Sequence, residues 1–305
     1  MTLLQRPAVA ATAARALQLA VGVAGRRAVA AAHQRFPELP RRAAEITIPT
    51  SVAPARVVVY RPETAAATPV HVNFHGGGFV LRLTEGDDPL CRFLAAASGV
   101  TVLNVDYVLA PQHPFPAAPR QAYEVVRWVA AHGAEHGWDG SLLTVGGQSA
   151  GGALAAAVCR QALDQGGPTI ALQALHYPPL DLVTSAKDKH AAAAKPVLRP
   201  WMAEVFDGSY VPDPTQRADP LVSPAHEADT ADLTGIAPAL VITAELDLLR
   251  AEGDRYAERL RQSGALVEHH VVPGVDHGYD GQDDDRARAV YALIARHVAN
   301  ATTPT

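Results

Sequence analysis

The stretch Leu142-Leu143-Thr144-Val145-Gly146-Gly147-Gln148-Ser149-Ala150-Gly151-Gly152-Ala153-Leu154 passes from an apolar run into an Ala-rich helical segment. At the junction stands Gly147-x-Ser149-x-Gly151. This is the pattern of a serine held on a strained strand-to-helix turn, where flanking glycines let neighbouring backbone crowd past it. A strand running directly into a helix is also the repeating unit of a parallel α/β sheet.

Working outward, other short β-branched runs flank this one. They cover residues 45–49, 55–60, 70–74 and 100–105 upstream, 142–145 at the turn itself, and 170–177, 239–243 and 267–272 downstream. Helical stretches fall at 88–98, 117–136, 150–165, 254–263 and 284–299. The alternation predicts an α/β fold, a mostly parallel eight-stranded sheet with helices on both faces. The linker 50–54 is too short for a parallel crossover, so the first two strands should pair antiparallel. Residues 182–237 break the rhythm with Pro-punctuated polar sequence and one short helix near 201–210. A structureless loop of that length is unusual in a compact domain. We therefore expect an insertion with helices of its own. Together with N-terminal helices in 1–43 it would form a helical cap on a catalytic domain spanning 44–305.

Composition narrows the partners. Among 305 residues, 48% hydrophobic, 26 basic side chains face 31 acidic ones for a net charge of -5. No basic stretch offers a footprint for nucleic acid. Cys91 and Cys159 lie in helical segments and should be buried thiols. Residues 3–32 are rich in Ala, Leu and Val, but Arg6, Arg15, Arg26 and Arg27 interrupt them. That leaves no run near the about 18 residues a stable membrane span needs. The Arg26-Arg27 pair follows the apolar part, the wrong order for an export signal, so a cytoplasmic location is expected.

A serine is a poor nucleophile without a base, and the base needs an orienting acid. Past run 239–243 the eligible acid is Asp247, in Ala244-Glu245-Leu246-Asp247; past run 267–272 the eligible base is His277, in Val275-Asp276-His277-Gly278-Tyr279. Each lies beyond the carboxyl end of a strand, where open α/β sheets gather their chemistry. His75-Gly76-Gly77-Gly78 follows run 70–74. Its glycines let backbone N–H groups approach a developing oxyanion, and the Ala150 amide should be a further donor.

Bland alternatives stand beside these. Glu245 and Glu252 compete with Asp247. His269 and His270 lie inside a strand, as a packing and a surface histidine. Asp276 reads as a loop carboxylate, and His75 as a brace for the glycine loop. Asp280, Asp283, Asp284 and Asp285 read as helix-start carboxylates, their spacing being wrong for an EF-hand. No metal site and no cofactor is expected.

With these residues in place, the chain resembles the hormone-sensitive-lipase branch of the α/β-hydrolases, the HGGG carboxylesterases. The resemblance runs from Val70 to His277. It includes Asp106-Tyr107-Val108-Leu109-Ala110-Pro111-Gln112-His113-Pro114-Phe115-Pro116-Ala117-Ala118, Asp219-Pro220-Leu221-Val222-Ser223-Pro224 and Ala244-Glu245-Leu246-Asp247-Leu248-Leu249-Arg250-Ala251-Glu252-Gly253. It implies a triad of Ser149, Asp247 and His277 with oxyanion amides from Gly77, Gly78 and Ala150. It also implies an N-terminal helical cap with an inserted helix, short-to-medium acyl ester substrates and a possible homodimer. Amide or formamide hydrolysis, or a non-catalytic ligand-binding role, remains the alternative. The chain departs from the family at Gln148 and Gln112, where acids are usual, and at Leu248, where proline is frequent. Candidate pocket residues are Phe79, Val80, Leu81, Trp201, Met202, Val205, Phe206 and Tyr210.

Overall fold

The computed structural model describes residues 3–64 and 67–303; Met1, Thr2, Ala65, Ala66, Pro304 and Thr305 of the expected domains lie outside them, as do the side chains of Ala24, Arg26 and Ala28. Eight strands form one sheet: β1 (Ala43–Ile48), β2 (Ala55–Tyr60), β3 (Thr68–Phe74), β4 (Thr101–Asp106), β5 (Trp138–Gln148), β6 (Leu172–His176), β7 (Ala239–Ala244) and β8 (Leu266–Val272). Their order is β1-β2-β4-β3-β5-β6-β7-β8. β2 pairs antiparallel with β1, as the short 50–54 linker required, and also with β4; the remaining pairs are parallel.

Strand side chains alternate between two apolar layers, the period of two that a pleated backbone imposes. Ala239 and Val241 of β7 face one layer, whereas Leu240, Ile242 and Ala244 face the other. The first layer is closed by α3 (Ala117–His132), α4 (Ala150–Gln165) and α6 (Arg250–Gln262). The second is closed by α2 (Asp88–Ser98) and α7 (Asp284–Ala301). β3 and β4 are buried along nearly their whole length, which accounts for their lack of polar alternation.

The N-terminal segment is a single long helix, α1 (Pro7–Gln34), after a short 3-10 turn. The 182–237 insertion holds one α-helix, α5 (Pro200–Tyr210), and one 3-10 turn, fewer helices than expected. Asp-capped and Pro-initiated turns carry the rest, satisfying backbone groups locally as at Asp213 and Asp219. α1 and α5 touch at Gly208, where a Cβ would come within 3.0 Å of the Ala10 Cβ.

Gln112 acquires a role here. Gln18 of α1 donates from Nε2 to the carbonyls of Val80 and Ala110, at 2.9 and 3.0 Å. Its amide also pairs reciprocally with that of Gln112, at 2.9 and 3.2 Å. An amide can both give and accept, which a carboxylate cannot. Glutamine at 112 thus pins α1 to the loop that follows β4, while the Gln18 bond to Val80 ties the same helix to the loop after the glycine run.

Candidate active site

Val145-Gly146-Gly147 brings β5 against β3, with Gly147 opposite Phe74. A Cβ on Gly147 or on Gly151 would collide with the Phe74 carbonyl, so both glycines are needed for the strand-to-helix turn to close. Between them Ser149 takes φ 52°, ψ -123°, a conformation that is strained for a residue with a side chain. Its N–H is held by the His176 carbonyl of β6 at 2.9 Å.

The three sequence-derived side chains meet. His277 Nε2 lies 3.0 Å from Ser149 Oγ, and His277 Nδ1 lies 2.8 Å from Asp247 Oδ2. Asp247 is buried, its Oδ1 accepting the Leu249 N–H at 3.0 Å. With the proton on Nδ1 shared with Asp247, Nε2 presents a lone pair to the serine hydroxyl. Burial works to lower the His277 pKa. The neighbouring Asp247 carboxylate, through charge and hydrogen bond, with Asp276 and Asp280 behind it, outweighs burial and holds the pKa above the ordinary value.

The glycine loop closes the other side. Gly77 has φ 116° and Gly78 φ 62°, and a Cβ at Gly78 would strike the Phe206 ring. Among the described residues the amides of Gly77, Gly78 and Ala150 donate to no protein acceptor. His75 is fully buried, with a pKa lowered to about 4 by burial, and its Nδ1 bonds the Gly76 carbonyl at 2.6 Å. The Tyr107 ring stacks on it at 4.4 Å while the Tyr107 hydroxyl donates to its carbonyl. It braces the loop.

A cavity of about 330 Å³ opens over Ser149 and His277. Phe79, Leu81, Met202 and Phe206 line it. Trp201 does not: it is 43% exposed, on the outer side of α5. Nor does Tyr210, buried behind Phe79 with its ring stacked at 3.8 Å; Val80 and Val205 are core residues. The helical period explains the difference, because α5 turns Met202, Ala203, Phe206 and Asp207 inward together.

Several alternatives resolve. Glu245 accepts the Gly274 N–H at 2.7 Å, and Glu252 is buried against Lys189 at 2.6 Å. His269 and His270 are both partly exposed, so neither packs in the core as expected of one; β8 is an edge strand, and Asp254 takes His269 at 3.2 Å. Asp276 does more than decorate a loop: it accepts the His277 N–H and, from the insertion, the Val197 N–H, each at 2.7 Å. Asp283 caps α7 as expected. Asp280 does not belong with it. It is buried in the cavity wall, and it went unnoticed as a site residue in the sequence, as did Tyr177, Asp87, Lys189 and Asp207. Tyr177 could have been found, since it follows the carboxyl end of β6. The described residues contain no cluster able to hold a metal ion.

Residues 71–280 match the family model Abhydrolase_3, described as alpha/beta hydrolase fold. The chain is 36% identical to esterase LipI of Mycobacterium tuberculosis over 83% of this chain and 82% of that one. It is 38% identical to carboxylic ester hydrolase LipN of the same organism over 76% of this chain, spanning only 62% of LipN. A solved hyperthermophilic esterase from Pyrobaculum calidifontis superposes with a TM-score of 0.85 at 35% identity, covering 94% of this chain and 91% of that one.

Proposed function

The chain belongs to the hormone-sensitive-lipase-like branch of the α/β-hydrolase family, and from that membership we propose that it is a serine carboxylesterase for short-to-medium acyl esters. The observation that carries the reading is the unbroken Asp247–His277–Ser149 hydrogen-bond chain beside three unengaged amides. Ser149 attacks the ester carbonyl while His277 Nε2 takes its proton and Asp247 stabilises the imidazolium. The amides of Gly77, Gly78 and Ala150 receive the oxyanion, each such donor being worth about 3 kcal/mol in the transition state. His277 then protonates the leaving alkoxide, and water repeats the cycle on the acyl-enzyme. The intact Ser149–His277 bond favours catalysis over a purely ligand-binding role.

The acyl preference is supported by a cavity of about 330 Å³ over Ser149, walled by Phe79, Leu81, Met202 and Phe206, which accommodates a small ester. α1 and α5 act as the cap, with α5 supplying one wall. No described helix is long and apolar enough to cross a membrane.

Turnover of p-nitrophenyl esters from acetate to palmitate should peak at short chains. Trp201→Ala should leave that profile unchanged, whereas Met202→Ala should extend it toward longer acyl groups. A peak at palmitate, or a profile moved by Trp201→Ala and untouched by Met202→Ala, would contradict the assigned wall.

A further inference from the structure

We infer that Asp280 is a positioning residue for both Ser149 and His277, and that glutamine stands before the nucleophile because Asp280 lies against it. The inference rests on the esterase reading of the site. Asp280 is 2% exposed, yet no cation bonds its carboxylate among the described residues. Three neutral donors grip it instead: Gln148 Nε2 at 2.9 Å and Tyr291 OH at 2.8 Å on Oδ2, and Tyr177 OH at 2.6 Å on Oδ1. Burial, then the Asp280 charge, pushes both tyrosine hydroxyls well above their ordinary pKa, so they remain donors.

Each donor leads to the reacting groups. Gln148 is bonded covalently to Ser149, and its Oε1 also accepts from Tyr177 at 3.3 Å. The Tyr177 ring lies 4.7 Å from the His277 imidazole, and Asp280 itself follows His277 by one short turn. One carboxylate thereby fixes the residue before the nucleophile, a ring against the base, and the loop that carries the base. Its charge also favours the imidazolium that forms when Ser149 attacks.

Gln148 follows from this arrangement. An acid at 148 would face the Asp280 carboxylate at hydrogen-bond distance, and two carboxylates so placed cannot both ionise. The family's usual charge before the serine is here carried from the other side, by Asp280, with the amide donating to it. The remaining charged and titratable neighbours are few. Asp87 approaches Asp280 from the turn after β3, its pKa raised to about 7 by burial despite the Asn73 bond, with Asp280 adding to the rise. Arg35 donates to the Asp280 backbone carbonyl at 2.7 Å and is paired with Asp284. His176 lies behind His277, neutral through burial and bonded to Tyr279 at 2.9 Å. Asp247 and Asp276 complete the surroundings of His277.

The test is a charge exchange with isosteric side chains: Asp280→Asn, Gln148→Glu and the double variant, in the full chain. Each single variant should lower kcat for p-nitrophenyl acetate by about tenfold with KM within about twofold, and the double variant should return to within about threefold of wild type. Asp280→Asn should also move the His277 titration, followed by imidazole NMR, to lower pH, since a stabilising negative charge is gone. Singles within about threefold of wild type, a double variant no better than the worse single or unable to fold, or an unmoved His277 midpoint would overturn the inference. A wild type that hydrolyses no ester would defeat the esterase reading instead, and the His277 titration would still decide on Asp280.

Discussion

Asp247→Asn is expected to lower kcat for a p-nitrophenyl ester by about 10⁴-fold while KM stays near its wild-type value. The magnitude follows from the 2.8 Å bond between Asp247 Oδ2 and His277 Nδ1. An asparagine that turns its N–H₂ toward the ring forces the proton onto Nε2, which then has no lone pair for Ser149. The pH profile should move as well. His277 accepts a proton only when neutral, so kcat/KM rises with pH through the His277 pKa, which the structure holds above its ordinary value. Without the Asp247 charge that pKa falls, and the residual activity should persist to lower pH. Full activity in Asp247→Asn, with an unmoved acid limb, would contradict the assignment of the acid.

Gly151→Ala should be the most damaging small substitution in the chain. Its Cβ would overlap the Phe74 carbonyl, which sits in a central strand and has no freedom to retreat. Forcing an atom into a packed interior costs about 3 kcal/mol, roughly 6 °C in Tm, and here the displaced backbone is that of the nucleophile turn. Thermal unfolding and ester turnover should therefore fail together. Gly25→Ala is the control: it meets open space on α1 and should gain up to about 1 kcal/mol from helix propensity. Equal melting temperatures for the two variants would show that the turn tolerates a side chain at 151.

The features carried by local chemistry were legible in the sequence. The change of period at Val145–Ala150 marked the strand-to-helix turn, the consecutive glycines at 76–78 marked a loop of close approach, and strand ends pointed to Asp247 and His277. The features carried by tertiary contact were not. Asp280 sits among helix-start carboxylates in the chain and became a site residue only when β5, β6 and α7 delivered Gln148, Tyr177 and Tyr291 to it. Trp201 and Met202 are neighbours of similar apolar character, and only the seating of α5 against α1 decides which one reaches the cavity. His269 and His270 depend on β8 being an edge, a property of sheet order that a run of seven residues does not contain.

The most direct measurement is the pre-steady-state release of p-nitrophenol from p-nitrophenyl acetate, wild type beside Ser149→Ala. The wild type should release a burst approaching one equivalent of the enzyme present, with the acetyl group recovered on Ser149 by mass spectrometry, and Ser149→Ala should show neither burst nor bound acyl group. Undiminished turnover or an acyl adduct in Ser149→Ala would contradict the account.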